Sequence, residues 1–506
     1  MGMHNMTTKP IFLLPLLLII STYTISASNT SLNIQLFDKT TLNGSLHDLL
    51  DTSLGETLAQ AQNAHQLISN MNLSSFNDDR AKTAWNDCRY LYQDAIDQLN
   101  RSIASINNRL DVQTWLSAVM ANQETCQNGF LDFGLPPLSS QSFYLHLTNA
   151  NMSKFLSNAL AINKAISSTS SSAKENRNPR LLANDFPQWV STGDRILLQS
   201  SGNPGKAADI VVAQDGSGSY KNISEGLVKA ATMSGTKRIV MYVKRGIYKE
   251  NVVVDKYLKN LMLIGDGIDA TIVTGSNNVQ NGYSTFGSAT FSGHGNGLIV
   301  RGMTFENTAG AEKHQAVAVL STGDNSVFYQ CSFKGYQDTL YVHSNRQFYR
   351  DCDIYGTVDF IFGDAVAVIQ NCNIYLRQPM PKQKNTITAQ GRTNPDANSG
   401  IVVHRSRVTA APGEAPVENY LGRPWQLYSR TVFIMCIIDD LIAPAGWLEW
   451  EGDFALTTLY YGEYMNTGGG ADTSGRVKWP GFHIIASAGE AAEFSVQNFL
   501  AGDRKV

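Results

Sequence analysis

The sequence predicts a right-handed parallel β-helix preceded by an all-α four-helix bundle. Two observations carry this reading: a six-fold recurrence of apolar residues in the C-terminal part, and helical periodicity through residues 29–166. Taking one residue per coil as position zero, the recurrence runs Met303, Cys331, Cys352, Cys372, Ser406 and Cys436. Four residues earlier stand Ile299, Val327, Phe348, Val368, Val402 and Val432, and two residues later Phe305, Phe333, Ile354, Ile374, Val408 and Ile438. All these positions are apolar at even offsets, which assigns them to one face of a strand. The spacings of 28, 21, 20, 34 and 30 residues are too irregular for propeller blades. They suit coils of roughly 20 residues with loops inserted at fixed corners. Such a fold buries its core between coils, so one domain can grow long.

The first 28 residues carry His4 and Lys9, an apolar run Ile11–Ile20, and then Ser26-Ala-Ser28. This pattern predicts a secretory signal peptide cleaved before Asn29, because the run is short for a membrane span. Sequons at Asn29, Asn43, Asn72, Asn100, Asn151 and Asn222 fit a secreted chain. The bundle, residues 29–166, shows four apolar stripes: Leu54, Leu58, Ala61 and Ile68; Leu91, Ala95, Leu99, Ile103 and Ile106; Val112, Trp115, Leu116 and Val119; Met152, Phe155, Ala159 and Ile166. Cys88 and Cys126 fall on successive helices and are expected to bridge. Residues 167–182 read as a linker: Ser167–Lys174 is Ser-rich and structureless, and Arg180-Leu181-Leu182 closes the segment as a candidate processing site. The β-helix domain is expected over 183–506, closed by a short capping helix at Ser487–Leu500. It carries 28 basic against 30 acidic side chains. That balance gives no general attraction for a polyanion, so nucleic acid is an unlikely partner and substrate contacts must be local.

Two coils stand out. In Cys331–Tyr341 and Cys352–Gly363, Gly335 answers to Gly356 and Asp338 to Asp359. Stacked coils place these aspartates one inter-strand spacing apart, about 4.8 Å. Two carboxyls that close do not both ionise easily, so one is pushed towards the neutral acid. Spacing alone leaves two readings open: an acid/nucleophile pair, or a ladder of solvated turn aspartates.

Five ordered motifs decide more. Gly246-Ile-Tyr-Lys-Glu250, Gln315-Ala-Val-Ala318, Gly335-Tyr-Gln-Asp-Thr-Leu-Tyr341, Gly356-Thr-Val-Asp-Phe-Ile-Phe-Gly363 and Leu421-Gly-Arg-Pro-Trp425 resemble the signatures of plant pectin methylesterases. Asp87-Cys88 and Asp111-Val-Gln-Thr-Trp115 to Thr125-Cys126 resemble the pectin methylesterase inhibitor domain that precedes many of these enzymes. The resemblance implies hydrolysis of galacturonate methyl esters, with Asp359 as nucleophile and Asp338 as general acid and then base. It implies Gln337 and Gln315 as oxyanion donors, Arg423 as the group holding Asp359 ionised, Trp425 as a sugar platform and Thr285 as a substrate contact. It favours a Cys352–Cys372 disulfide in the stacked cysteine column, leaving Cys331 a buried thiol. No metal or organic cofactor is implied. The implied partners are methyl-esterified homogalacturonan, proteinaceous pectinesterase inhibitors and a processing protease, and the implied location is the plant cell wall, with no stable membrane association once the signal is removed.

The chain departs from the family pattern in places. No arginine follows Gln315-Ala-Val-Ala-Val-Leu-Ser321, and the bundle lacks the early cysteine pair common in inhibitor domains. Pro179-Arg180 replaces the usual dibasic pair. Asp364 stands where asparagine is usual, which is expected to raise a neighbouring aspartate's pKa. Two other readings compete: a polygalacturonase-like glycoside hydrolase, for which carboxylates near 5 Å would suit a retaining mechanism, and an inert inhibitor or binding protein.

Overall fold

The computed structural model describes residues 39–71, 78–134, 150–170, 186–200, 202, 204–414 and 417–500. The signal sequence, most of the linker and Arg180, Leu181 and Leu182 lie outside them. Four helices form the bundle: α1 Lys39–Ser69, α2 Asp79–Ala104, α3 Arg109–Leu131 and α4 Ala150–Ser170. Helix α4 therefore extends through Ser170, past the predicted start of the linker. Ile106 lies beyond the end of α2, because Asn108 caps α3 by accepting from the Asp111 N–H. Cys88 and Cys126 are bridged, joining α2 to α3.

The second domain is a parallel β-helix of three sheets with eleven, eight and seven strands, every named pairing parallel. The predicted columns are in register: Val327 pairs with Ile299 and Phe348, and Phe333 with Phe305 and Ile354. The expectation of one shared face is corrected, however. The residue before position zero takes a left-handed conformation in each coil: Gly302, Gln330, Asp351, Asn371, Arg405 and Met435, all at φ between 51° and 63°. That corner ends one strand and starts another in a different sheet. Val327, Phe348 and Val368 then face outward, under Phe186, Leu198 and Phe494. Phe333, Ile354, Ile374 and the position-zero side chains point into the coil interior. Asparagine and aspartate tolerate this conformation; arginine and methionine hold it at a cost of about 1 kcal/mol or more, which the stacked neighbours offset. At the C-terminal end the expected single helix is two, Ala488–Ala492 and Val496–Phe499, with Ser495 capping the second by accepting from the Asn498 N–H. Among the described residues, no helix is long and apolar enough to cross a membrane.

The expected Cys352–Cys372 bridge is not formed. Cys331, Cys352, Cys372 and Cys436 are all free and buried. In-register parallel strands carry these side chains side by side into the core. Each thiol turns to a carbonyl two residues back: Cys352 Sγ donates to Arg350 O at 3.2 Å and Cys372 Sγ to Gln370 O at 3.3 Å. Burial pushes the Cys331 and Cys352 thiols well above the usual range and Cys436 up to about 12. Alkylation of the native protein should leave all four unmodified, and denaturation without reductant should expose four thiols. Non-reducing peptide mapping should find Cys88 joined to Cys126 alone; a peptide linking Cys352 to Cys372 would contradict the structure.

Candidate active site

A cavity of about 430 Å³ opens beside the seven-stranded sheet. Its lining brings together Thr285, Gln315, Gln337, Asp338, Asp359, Arg423 and Trp425, every substrate-facing residue that the sequence singled out. The repeat explains the centre. Leu340 pairs with Ile361, so Asp338 and Asp359, each two residues earlier, sit on adjacent coils in the same corner. Both are left-handed, at φ 63° and 51°. The Asp338 N–H donates to Val358 O at 3.1 Å, and this backbone tie holds the two corners side by side.

The two carboxyls have different surroundings. Asp359 is gripped in a bidentate ion pair, Arg423 Nε to Oδ1 at 2.8 Å and Nη2 to Oδ2 at 2.6 Å. The Arg423 guanidinium lies 4.3 Å over the Trp450 ring. Burial works against that guanidinium's charge, but Asp359 outweighs it and raises its pKa. Asp338 has no such partner. Burial pushes its pKa well above the usual carboxylate range, and the charges of Asp359 and Asp132 push the same way. The site thus sets a carboxyl pushed towards its neutral form beside one paired with a guanidinium. Asp364 does not act as expected: it accepts from Gln390 Nε2 at 3.0 Å and from the Ser399 hydroxyl, and burial raises its own pKa to about 7. It is not among the charges that shift Asp338.

Other walls are aromatic. Phe362 stacks on Tyr341 at 4.2 Å and meets Trp425 edge-on at 5.9 Å. Trp425 lies over Gly391, where a Cβ would come within 2.9 Å of the indole. Gln337 and Gln315 hang from adjacent coils, tied by Ala316 N–H to Gln337 O at 3.3 Å.

Three contributors were not read from the sequence. Thr386 extends the Asp338–Asp359 column by one coil. Its hydroxyl donates to Asp359 Oδ1 at 2.6 Å and accepts from the Asp359 N–H at 2.9 Å. The signal existed in the repeat, but Asp359 and Thr386 are 27 residues apart rather than 21. Trp450 reaches the cavity from a C-terminal loop. The third comes from the bundle: Thr125, Asn128, Gly129, Leu131 and Asp132, at the end of α3, form the opposite wall. Asp132 Oδ2 accepts from the Thr285 N–H at 3.0 Å, and Thr125 Oγ1 lies 3.1 Å from Tyr341 Oη and 2.9 Å from His343 Nε2.

Residues 209–503 match the family model described as Pectinesterase. The chain belongs to the pectinesterase family. Residues 27–162 match the model for plant invertase/pectin methylesterase inhibitors, so the family's β-helix here follows an inhibitor-type bundle. The chain is 52% identical over 482 residues to probable pectinesterase/pectinesterase inhibitor 6 of Arabidopsis thaliana, covering 90% of this chain and 85% of that one. It is 50% identical to pectinesterase 2 of Citrus sinensis, over 85% of this chain and 81% of the other. Pectin methylesterase from carrot superposes with a TM-score of 0.57 at 51% identity, covering 60% of this chain and 95% of that one. The Aspergillus niger enzyme superposes at 0.53 and 30% identity, covering 61% and 99%. Membership makes the chain an ester hydrolase and sets aside both the polygalacturonase reading and the inert one.

Thr386 positions Asp359, so Thr386→Val removes a charge-assisted hydrogen bond and orphans the Asp359 N–H. The expected result is a kcat lower by roughly 10–100-fold with KM little changed. Thr386→Ser should recover most of the rate in a methanol-release assay. Equal activity of the valine and wild-type proteins would remove Thr386 from the site.

Proposed function

We propose that the chain hydrolyses the methyl esters of galacturonate residues in cell-wall pectin, with Asp359 as nucleophile, Asp338 as acid and base, and the bundle as an internal inhibitor. The observation that carries the reading is the asymmetry of the aspartate pair: Arg423 grips Asp359, while Asp338 is kept protonated by burial and like charge.

The chemistry follows. An Asp359 oxygen attacks the ester carbonyl carbon, and the carbonyl electron pair moves onto oxygen. The Gln315 and Gln337 amides donate to that oxyanion. Collapse breaks the bond to the methoxy oxygen, which takes the Asp338 proton and leaves as methanol. An acyl-enzyme anhydride remains. Asp338, now ionised, takes a proton from water as the water oxygen attacks the same carbonyl carbon and expels the Asp359 carboxylate; this restores both aspartates and yields a galacturonic acid carboxyl, which loses its proton to solvent. Trp425 offers a ring face to a neighbouring sugar, and Thr285 a polar contact.

The bundle stands in the substrate's way. Asp132 occupies the Thr285 N–H with a carboxylate, the group that a galacturonate would present there. Its hold is anchored away from the cavity. Arg346 donates to Asp111 of α3 at 2.7 Å and to Asp324 at 2.8 and 2.5 Å, all three side chains being nearly inaccessible. Trp115 Nε1 adds a bond to Asp324 at 3.0 Å. Burial alone would raise Asp324, but Arg346 holds it well below the usual carboxylate range. Removing one member strands buried charge, at roughly 3–5 kcal/mol. Cutting near Leu182 in the polar linker frees the bundle from the chain, and secretion to the plant cell wall brings the enzyme to its polymer; a separate inhibitor protein would compete for the same cleft.

Asp359→Ala should abolish methanol release from methylated pectin. Asp338→Ala should lower kcat by about 10²–10⁴-fold and Gln337→Ala by about 10²–10³-fold. Retention of more than half the wild-type activity by Asp359→Ala would sink the assignment.

Asp111→Ala should raise the activity of uncut protein towards that of protein cut at the linker, while leaving the cut protein's kcat unchanged once the bundle is removed. If uncut wild type is already fully active, the inhibition fails. N-terminal sequencing of wall-extracted protein tests the cut itself.

Closure is also pH-sensitive. Asp87 of α2 accepts from the Ser284 hydroxyl and faces Asp132, and burial raises its pKa to about 7. A carboxyl raised in the docked state binds its proton more tightly there. Docking is therefore weakened as pH climbs from the ordinary carboxylate range to about 7. His294 and His343, kept neutral at about 4 and 3 by burial, act with the opposite sign. Comparing wild type with Asp87→Asn isolates the aspartate: the uncut wild type should gain activity relative to the variant as pH rises across that window. Parallel profiles would exclude Asp87 as a contributor.

A further inference from the structure

On the far side of the turn that presents Asp338 lies a second groove of about 520 Å³. Tyr336 lines the groove, whereas the next two residues, Gln337 and Asp338, line the catalytic cavity. The floor belongs to the eight-stranded sheet, where Glu306, Lys334 and Tyr355 pair in register on three successive coils and Tyr375 continues the row. Three inter-strand steps make this row about 14 Å long, the scale of a short oligosaccharide.

We propose that this groove is a second saccharide-binding site, taking an uncharged, methyl-esterified stretch of the galacturonan whose esters the catalytic cavity cleaves. The proposal rests on the substrate class given above. Three features support it. The first is aromatic: Tyr355 lines the groove and stacks on Tyr375, next in the row, at 4.4 Å with the planes 17° apart, and both rings are only partly buried. The stacked pair turns ring edges and hydroxyls outward, apolar C–H beside polar O–H, which suits a neutral pyranose without demanding a charge.

The second is charge balance. Lys334 is paired with Asp269 at 2.6 Å and Arg377 with Glu414 at 3.3 Å, and Glu306 lines the same groove. Cations and carboxylates alternate and offset one another. A polyanionic, de-esterified chain gains nothing here and meets two carboxylates. A hydroxyl-rich neutral chain finds donors and acceptors of both signs.

The third is placement. Arg377 lies 3.8 Å over the Tyr336 ring, with Nη2 donating to Tyr336 Oη at 2.7 Å and Nη1 to Gly335 O at 2.9 Å. The groove wall is thereby fastened to the catalytic turn, so polymer held in it is held beside Asp338. Among the described residues, none of the bundle lines the groove. It stays open while the bundle covers the catalytic cavity, which lets the uncut chain hold esterified pectin before it can cleave it.

The test uses uncut, full-length protein and calorimetric titration with a highly methyl-esterified oligogalacturonide and with its de-esterified counterpart. Uncut wild type should bind the esterified probe more tightly. Tyr355→Ala should weaken that binding on the order of tenfold, and Glu306→Gln should weaken it less. After linker cleavage and bundle removal, Tyr355→Ala should raise KM on long esterified pectin with kcat unchanged, while KM on a short esterified substrate should not move. That unchanged kcat is the check on folding; should Tyr355→Ala not fold, Glu306→Gln decides in the same assays. Equal affinities for wild type and variants, or preference for the de-esterified probe, would overturn the proposal. Methanol release by cut wild type reports on the catalytic reading separately, so failure of one is not failure of the other.

Discussion

The structure depends on one constraint: successive coils must turn at the same place so that their strands stay in register. The left-handed residue before each position-zero side chain enforces it, and the cost is shared among Gln330, Asp351, Asn371, Arg405 and Met435. A second left-handed corner is occupied by Asp338 and Asp359. Those two residues are therefore corner residues of a solenoid as well as members of the site. Because the corner is repeated, neighbouring coils deliver two carboxyl groups and the Thr386 hydroxyl in one column without any loop having to fold back.

Electrostatics then separates groups that the repeat makes equivalent. Asp338 and Asp359 share a backbone conformation, a burial level and a place in the repeat. Arg423, 64 residues further along, makes its bidentate hydrogen bonds to Asp359, and reaches Asp338 through its charge only weakly against burial. One guanidinium on one side of a symmetric pair is enough to give the two carboxyls different surroundings, since the second is left with both the desolvation and the like charge. The same logic runs through the domain interface in reverse. At Asp324 the cation Arg346 is supplied and holds the carboxyl well below the usual range; at Asp87 none is supplied and burial raises the carboxyl to about 7.

The bundle makes the interface two kinds of contact at once. Near the cavity it offers carboxyls, Asp87, Glu124 and Asp132, all raised in pKa by burial. Remote from it, the Arg346 cluster and the α3 side chains Gln113, Thr114 and Ser117, bonded to Asp396 and Asn398, supply compensated contacts. Lining the cavity side and fastening the bundle to the β-helix are thus carried by different residues of the bundle.

Much of this was legible in the chain. Periodicity announced the bundle and the β-helix, and matched repeat positions announced Asp338 and Asp359, because local backbone geometry repeats wherever the local pattern does. Gln315, Gln337, Arg423, Trp425 and Thr285 were legible through motifs whose residues are contiguous in sequence. What escaped depended on distance. The six extra residues between Asp359 and Thr386 hid the third member of the column. Even offsets suggested one strand face for Val327 and Phe333, because no sequence rule marked Gln330 as a left-handed corner that sends them to opposite sides. The Cys352–Cys372 bridge followed a resemblance, and the thiols turn to carbonyls two residues away instead. Asp132 was invisible, since its place opposite Asp338 is set by the docking of two domains. A sequence determines contacts made within a coil or between equivalent coils, where covalent spacing fixes geometry; contacts between units that pack late in the fold are decided by shape and charge summed over both surfaces, and only the tertiary structure holds that sum.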